Sequence, residues 1–388
     1  MDGDKPQTPR PLSLALGGLV ALAAAVGIGR FVYTPILPLM VEDLGMTKGA
    51  AGLLASANFA GYLAGALLAA TPIVPGSRRS WLIMALIVSA LTTGAMAFAS
   101  STAAFLTLRC LGGVASAFVL VFASALVLDR LGAAGRPDLS AVHFAGVGAG
   151  MALSAALVSI LVAWGGGWRS LWLASGLSSG LAVGIVASLV PNRAEAATAV
   201  TSRTRRADPR LAAFVVAYGL FGFGYIITAT FLVAIARGSD QVRPLEPLIW
   251  LVVGLTAAPS VALWTSVGEK IGVARAFALA CGVEAVGVAA SVLWLTPPGV
   301  LLAAALLGGT FMGITALGLV RARRLSRGDP RRTLAVMTAA FGLGQIVGPF
   351  FAGVVYDATG TFLVPSLTAV SALLVAGLLA IVGSTQTS

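Results

Sequence analysis

Of the 25 lysines and arginines in this 388-residue chain, only Arg30 and Arg109 fall inside long apolar stretches. A cation in hydrocarbon costs at least about 2.5 kcal/mol at mid-helix, so a chain that keeps one there generally uses it for a partner, a pathway or a ligand. Arginine presents five donors in a planar fork that matches a carboxylate or a phosphate. Acids that could neutralise this pair are scarce: the apolar stretches of the first half hold none deep inside, and Asp129 falls at the far end of the stretch containing Arg109. Unpaired cations in such a place favour an anionic ligand.

The other polar residues in apolar stretches are Tyr33, Asn58, Tyr62, His143, Tyr218, Tyr225, Glu284 and Gln345. Arg30, Tyr33, Asn58, Tyr62, Tyr225 and Gln345 are candidates for binding a substrate; for the uncharged ones, hydrogen bonding between helices is the plainer use. Tyr33, beside Pro35, also suits an interfacial anchor, as do Trp164, Trp168 and Trp172. Arg109, His143 and Glu284 are candidates for proton coupling. His143, the sole histidine, could titrate near neutrality, although a histidine near a helix end is commonly solvated. Glu284 could carry a proton or merely anchor its helix. With two cysteines and one histidine there is no metal site to argue. Cys110 and Cys281 both fall in apolar stretches and read as packing residues rather than a disulfide framework. No cofactor is implied. No phosphate-binding Gly-x-x-x-x-Gly-Lys-Ser/Thr loop and no set of nucleophile, base and orienting group occurs, so the chain does not read as an enzyme.

What positions these residues is a set of membrane helices. The chain is 58% hydrophobic and 10% charged, far from the roughly 25% charge of a soluble domain. A bilayer-spanning helix needs roughly 20 mainly apolar residues. Twelve such segments are expected, near 13–40, 49–71, 80–99, 102–128, 139–163, 169–190, 211–236, 245–266, 273–295, 299–320, 333–355 and 362–383, numbered helices 1 to 12 below. The period-2 alternation of a membrane barrel is absent, which leaves a helical bundle as the way to satisfy the backbone in lipid. The fold class is therefore all-α and integral to the membrane.

Nineteen lysines and arginines fall on one side of this topology and four on the other, which predicts cytoplasmic termini. The net charge of +11 thus needs no nucleic-acid partner: the bases act as topology determinants, with contact of the polybasic central loop with anionic membrane lipid as the lesser alternative. The first apolar run is too long, and too interrupted by Arg30 and Pro35, for a cleaved signal peptide. The polar break from 191 to 210 divides six helices from six. The expected organisation is a cytoplasmic N-terminus (1–12), one half (13–190), a cytoplasmic linker (191–210) and a second half (211–388), in a monomer.

The halves carry a faint repeat, Gly27-Ile28-Gly29-Arg30 against Gly222-Phe223-Gly224-Tyr225 and Gly146-Val147-Gly148 against Gly342-Leu343-Gly344. Paired halves with a site between them near the midplane are a transporter architecture. Small residues such as Gly146 and Gly150, or Gly344, Gly348 and Pro349, let helices approach closely or rock. Pro35, Pro38 and Pro349 should bend or loosen their helices.

Twelve helices with a polar central break resemble the major facilitator superfamily. Arg109-Cys110-Leu111-Gly112-Gly113 is similar to its helix 4 motif, an Arg followed four residues later by Gly113, which the family links to proton coupling. Gly268-Glu269-Lys270-Ile271-Gly272, expected in the loop after helix 8, resembles its acidic-basic-x-Gly signature, making Glu269, Lys270 and Gly272 conformational residues with Gly113. Tyr356-Asp357-Ala358-Thr359-Gly360, expected after helix 11, keeps part of that pattern, and Pro75-Gly76-Ser77-Arg78-Arg79 keeps the glycine and bases but lacks the acid. A narrower resemblance, to the YbfB/YjiJ-like branch, runs through Gly27 to Pro38, Ala57 to Gly65, Gly222 to Leu232 and Gly342 to Pro349. The superfamily resemblance implies a central cavity lined by helices 1, 2, 4, 5, 7 and 11, with helices 3, 6, 9 and 12 outside.

The expected function is secondary active transport of a small organic solute, anionic if the arginines bind it, across the inner (cytoplasmic) membrane by alternating access, with protons as coupling ion. The alternative is proton-linked efflux of hydrophobic or amphiphilic compounds, for which Phe118, Phe122, Phe221 and Phe341 would line the cavity. A rival of another class is a non-transporting membrane receptor or scaffold.

Overall fold

The computed structural model describes residues 10–71, 76–191, 209–326 and 330–382, and every regular element among them is helical. Residues 1–9, Pro75 and most of the expected linker lie outside the described residues. Twelve helices are long and apolar enough to cross a membrane: helix 1 Pro11–Leu44, helix 2 Lys48–Ala69, helix 3 Arg78–Phe98, helix 4 Thr102–Ala133, helix 5 Pro137–Ala163, helix 6 Trp168–Leu189, helix 7 Arg210–Arg237, helix 8 Arg243–Ile271, helix 9 Val273–Leu293, helix 10 Pro297–Leu325, helix 11 Arg332–Thr359 and helix 12 Leu363–Val382. Helices 2, 3 and 4 open on hydroxyl caps: Thr47, Ser77 and Ser101 accept from the backbone N–H of Ala50, Ser80 and Ala104 at 3.1–3.2 Å, the usual way to satisfy a first-turn donor.

Helices 4, 8 and 10 run to Ala133, Ile271 and Leu325, about five residues past their apolar windows. The added residues include Asp129, Arg130, Glu269, Lys270 and Arg321 to Arg324, which end a hydrophobic stretch without ending a helix. Two motif placements are corrected by this. Gly268 to Ile271 form the last turn of helix 8 rather than a loop, and Gly272 alone, with φ of 87°, makes the turn into helix 9. Tyr356 to Thr359 likewise close helix 11, and Gly360 (φ 71°) follows.

Helix 1 is broken, and not where its prolines sit. Pro11–Leu22 is α-helical, Ala23–Ile28 is a π segment, and after turns at Gly29 to Val32 the helix resumes as Tyr33–Leu44. The wide turn shows in bonds five residues long, from Gly29 N–H to Ala24 O at 2.9 Å and from Phe31 N–H to Val26 O at 3.2 Å. The Thr34 N–H turns to Phe31 O at 3.2 Å, and Pro35 has no N–H to give. The carbonyl of Arg30 is thereby stripped of its main-chain donors.

Within residues 11–189, helix 2 packs on 4, 3 on 4 and 6, and 1 on 5 and 6; within 210–382, helix 8 packs on 10, 7 on 11 and 12, and 9 on 10 and 12. The seam between the two sets is made by helix 2 against 11, helix 5 against 8, and the second part of helix 1 against 7. One end of the bundle, where odd-numbered helices begin, carries most of the arginines and is called the arginine-rich end; the other is the opposite end.

Candidate functional site

The two arginines stand at one level and do different things. Arg109 is 3% exposed and reaches the break in helix 1, donating from Nη1 to Gly29 O at 3.4 Å and from Nη2 to Arg30 O at 3.3 Å. For the Arg30 carbonyl it thus replaces the Thr34 N–H, which has turned to Phe31 O. Its guanidinium lies over Tyr33 at 4.8 Å and Trp172 at 5.8 Å. Tyr33 is committed as well, its hydroxyl donating to Ala51 O at 2.7 Å. Both it and Trp172 are buried, as is Trp168, so of the three tryptophans expected at the interface only Trp164 is exposed.

Arg30 makes no such backbone bond. It is 6% exposed, and its Nε and Nη2 are buried without a hydrogen-bond partner. Its guanidinium carbon lies 4.3 Å from the ring centre of Tyr62, 4.5 Å from Phe59 and 5.2 Å from Phe31. Aromatic faces attract a cation but give Nε and Nη2 no acceptor. Among the described residues the ion pairs all lie elsewhere.

Across the seam, Phe31 beside the Arg30 guanidinium meets Phe311 at 6.0 Å, and Phe311 stacks on Tyr225. Gln345 donates from Nε2 to the Tyr225 hydroxyl, while its Oε1 is buried without a partner. The Tyr225 ring lies parallel, within 5°, to Phe311 at 5.7 Å and to Phe341 at 5.8 Å, with Phe221 at 5.1 Å. Arg30, Tyr62, Tyr225 and Gln345 therefore gather into one aromatic-walled group. Asn58 serves a helix contact instead: its Nδ2 donates to Arg109 O at 2.8 Å, leaving Oδ1 bare. The sequence passed over Phe31, Phe59 and Phe311, although Phe31 and Phe59 adjoin Arg30 and Asn58 in the chain. The expected cavity phenylalanines divide: Phe221 and Phe341 join this group, whereas Phe118 meets Phe122 edge to face and Trp81 of helix 3 at a tilt, inside the first half.

His143 is not solvated. It is fully buried, with Nε2 at 3.0 Å from Ser124 Oγ and Nδ1 unpartnered, in space left by Gly18. Glu284 lies on the inner face of helix 9, whose other face exposes Leu279, Val286 and Leu293. It is 0% exposed, and both carboxyl oxygens lack a hydrogen-bond partner. Two turns earlier on the same face, Phe277 meets Phe214 at 5.1 Å and Phe221 at 6.3 Å, both on helix 7. This face of helix 9 looks inward.

The motif glycines are contact points. A Cβ on Gly113 would strike the carbonyl of Asn58, and one on Gly146 or Gly150 the carbonyls of Leu19 or Ala23. Gly348 meets Ile226 and the Phe223 carbonyl, and the Pro349 carbonyl fills the space over Gly52. Glu269 and Lys270 are exposed. At the arginine-rich end, Arg78 pairs with Asp129 at 3.3 Å, and Arg79 donates to the carbonyls of Val190 and Ala187 at 2.6 and 2.8 Å. The bases of the acid-less loop thus tie helix 3 to helices 4 and 6.

The opposite end is closed across the seam. Asp357 of helix 11 accepts from the N–H groups of Lys48 and Gly49 at 2.9 and 2.7 Å, capping helix 2. Arg237 binds Glu246 at 2.9 Å and, across the seam, Glu42 at 3.3 Å. Thr34 donates to Ala229 O at 2.8 Å and Ser56 to Ile346 O at 2.6 Å. Beside this closure lies a crevice of about 280 Å³, its walls including Pro35, Leu39, Val158, Val233 and Trp250 with Arg237 at its edge; none of the candidate site residues lines it.

Twelve membrane-crossing helices in two sets of six, meeting at a buried polar group, define a secondary transporter of the major facilitator type rather than an enzyme. The model of the family described as "Uncharacterised MFS-type transporter YbfB" matches residues 22–381, and the chain belongs to that family. Among solved structures it is similar to the nucleoside transporter NupG. A single-site mutant of that protein aligns at 14% identity and TM-score 0.71, covering 96% of this chain and 100% of the other. A second NupG structure aligns at 13% identity and TM-score 0.70, covering 97% and 99%. At such identities the likeness concerns the fold. No curated protein matches the sequence.

Proposed function

We propose that this transporter carries a small organic anion across the cytoplasmic membrane, its two halves, 13–190 and 211–388, exposing Arg30 alternately to either side. The observation that supports the reading is the state of Arg30: a buried guanidinium on the seam, with Nε and Nη2 lacking a hydrogen-bond partner and no acid paired to it. Leaving a buried charge unpaired costs several kcal/mol, and a ligand carboxylate held bidentately would recover much of that. Tyr62, Tyr225 and Gln345 would complete the site with neutral donors and acceptors. Arg109, fastened to the helix 1 break, positions Arg30 rather than meeting the ligand. The bias of arginines toward one end supports cytoplasmic termini, and the working unit is a monomer.

A second reading, efflux of hydrophobic or amphiphilic compounds, draws on the apolar crevice walled by Pro35, Leu39, Val158 and Trp250. A thermal-stability screen of the purified protein separates the two. A ligand at 100 times its dissociation constant adds about 2.7 kcal/mol of stability. Small carboxylates such as acetate, lactate and benzoate should stabilise the wild type, stabilise Arg30→Lys less and leave Arg30→Ala unmoved. Equal stabilisation of wild type and Arg30→Ala by carboxylates would sink the anion reading. Neutral hydrophobic compounds acting alike on both would favour the second.

A further inference from the structure

We infer that the crevice at the opposite end is a second ligand site, one that takes a single-chain carboxylate of medium length and, when filled, locks that end shut. The inference rests on the transporter fold alone and not on the role proposed for Arg30.

The crevice is built by both halves. Pro35 and Leu39 of helix 1 and Val158 and Val162 of helix 5 form one wall, and Val233 of helix 7 and Trp250 of helix 8 form the other. At about 280 Å³ it stands at the small end of ligand pockets, which begin at roughly 300 Å³, and suits one slim molecule.

Charge is added to these apolar walls by two arginines and one glutamate, Arg237, Arg243 and Glu246. Arg237 is spent on Glu246 at 2.9 Å and on Glu42 at 3.3 Å. Arg243 is exposed and belongs to none of the ion pairs among the described residues. Its Nε donates to the Arg237 carbonyl at 3.1 Å, which orients the guanidinium and leaves its two Nη groups for a ligand. A carboxylate is the group that an arginine fork matches. Arg243 and Trp250 are seven residues apart in the chain, about 10 Å at the rise of an α-helix. A chain laid from one to the other must therefore be about 10 Å long, which octanoate is and which acetate, lactate and benzoate are not.

Because its walls belong to different halves, the site is whole only while the opposite end is closed. Parting the halves there separates Arg237 from Glu42 and Thr34 from Ala229. It also draws the walls on helices 1 and 5 away from those on helices 7 and 8. A molecule that binds one state and not the other shifts the population toward the state it binds. An occupied crevice therefore holds this end closed, whatever the cargo.

Ala229→Cys, made in protein with Cys110 and Cys281 replaced by alanine, reads the lock through labelling by a water-soluble maleimide with and without octanoate. Each variant is compared with itself, so a change in basal opening cancels. At about ten times its dissociation constant, octanoate should slow labelling about tenfold, and it should do so with Arg30 intact or in Arg30→Ala. Arg243→Ala should lose most of the slowing and Arg243→Lys should keep part of it. Val162→Trp, which fills the crevice from an exposed position, should abolish it. Octanol, with the chain but no charge, should slow labelling far less. Slowing undiminished in Arg243→Ala or Val162→Trp overturns the site, as does octanol matching octanoate or an absence of slowing in every variant. Slowing that vanishes in Arg30→Ala also overturns it and assigns octanoate to the anion site proposed above. Faster labelling overturns the lock and makes octanoate a cargo.

Discussion

Arg109 donates from Nη2 to the carbonyl oxygen of Arg30 at 3.3 Å, so one intramembrane arginine holds the very peptide unit from which the other projects. The relation follows from the turn before Pro35: Pro35 has no N–H for Phe31 O, the Thr34 N–H goes there instead at 3.2 Å, and the Arg30 carbonyl loses the donor an unbroken helix would offer it. It separates two residues that composition alone makes equivalent.

Removing the clamp should cost stability. Hydrogen bonds to a charged donor contribute about 1.5–3 kcal/mol each, and these are long. Arg109→Ala is expected to lose about 1.5–3 kcal/mol in chemical unfolding in detergent, with Arg109→Lys recovering part of it. An Arg109→Ala protein as stable as wild type would mean that the break needs no side-chain donor.

Tyr225→Phe keeps the ring contacts with Phe311 and Phe341 but takes away the oxygen that accepts from Gln345. Gln345 would then have both ends of its amide buried and unsatisfied. The expected loss is about 1–3 kcal/mol, and Tyr225→Phe combined with Gln345→Leu should be more stable than Tyr225→Phe alone. If the second change brings no recovery, the pair is not an isolated unit.

Glycine positions should split into two classes by what lies above them. Gly113→Ala must push helix 4 off the Asn58 carbonyl, an overpacking cost of about 1–3 kcal/mol. Gly180 in helix 6 has nothing within 4 Å of a built Cβ, so Gly180→Ala should gain about 0.5–1 kcal/mol. Unfolding midpoints of the two variants should move in opposite directions.

The closure at the opposite end should yield to Asp357→Asn. Losing a helix cap costs about 0.5–2 kcal/mol, enough to raise the open population roughly 2- to 30-fold. A cysteine at Ala229, with Cys110 and Cys281 replaced by alanine, reports this as faster labelling by a water-soluble maleimide. Asp43→Asn is the control, since Asp43 bonds Trp168 at 2.6 Å and sits near Arg169, both in its own half. Equal acceleration by the two variants would deny Asp357 a special part in the closure.

Hydrophobic windows located the twelve helices because lipid enforces a length and a composition. They could not see where helices 4, 8 and 10 stop, since a charged residue outside the bilayer is compatible with a helix. The π segment was equally hidden: Ala23, Ala24 and Ala25 are good helix formers, and the prolines pointed to a bend farther along. At the site, residue type alone singled out Arg30, Tyr225 and Gln345. The roles of Arg109 and Asp357 depend on partners far away in the chain: Arg109 meets Gly29, 80 residues distant, and Asp357 meets Lys48. Charge and hydropathy carry no record of such pairings. His143 stands near a helix end in the chain, yet that end packs against Gly18 of helix 1 and not against water.

Gly148 of helix 5 and Gly254 of helix 8 face each other from the two halves, and a Cβ on either would collide with the other's backbone. Gly353 of helix 11 stands likewise against the backbone of Lys48 and Gly49. Main chain therefore bears on main chain at these places, with no knob seated in a hole. Turning one half on the other there asks no rotamer to change and no side chain to leave a socket. The friction of the transport cycle then lies in the polar fastenings at the rim, and chemistry that loosens those sets its pace.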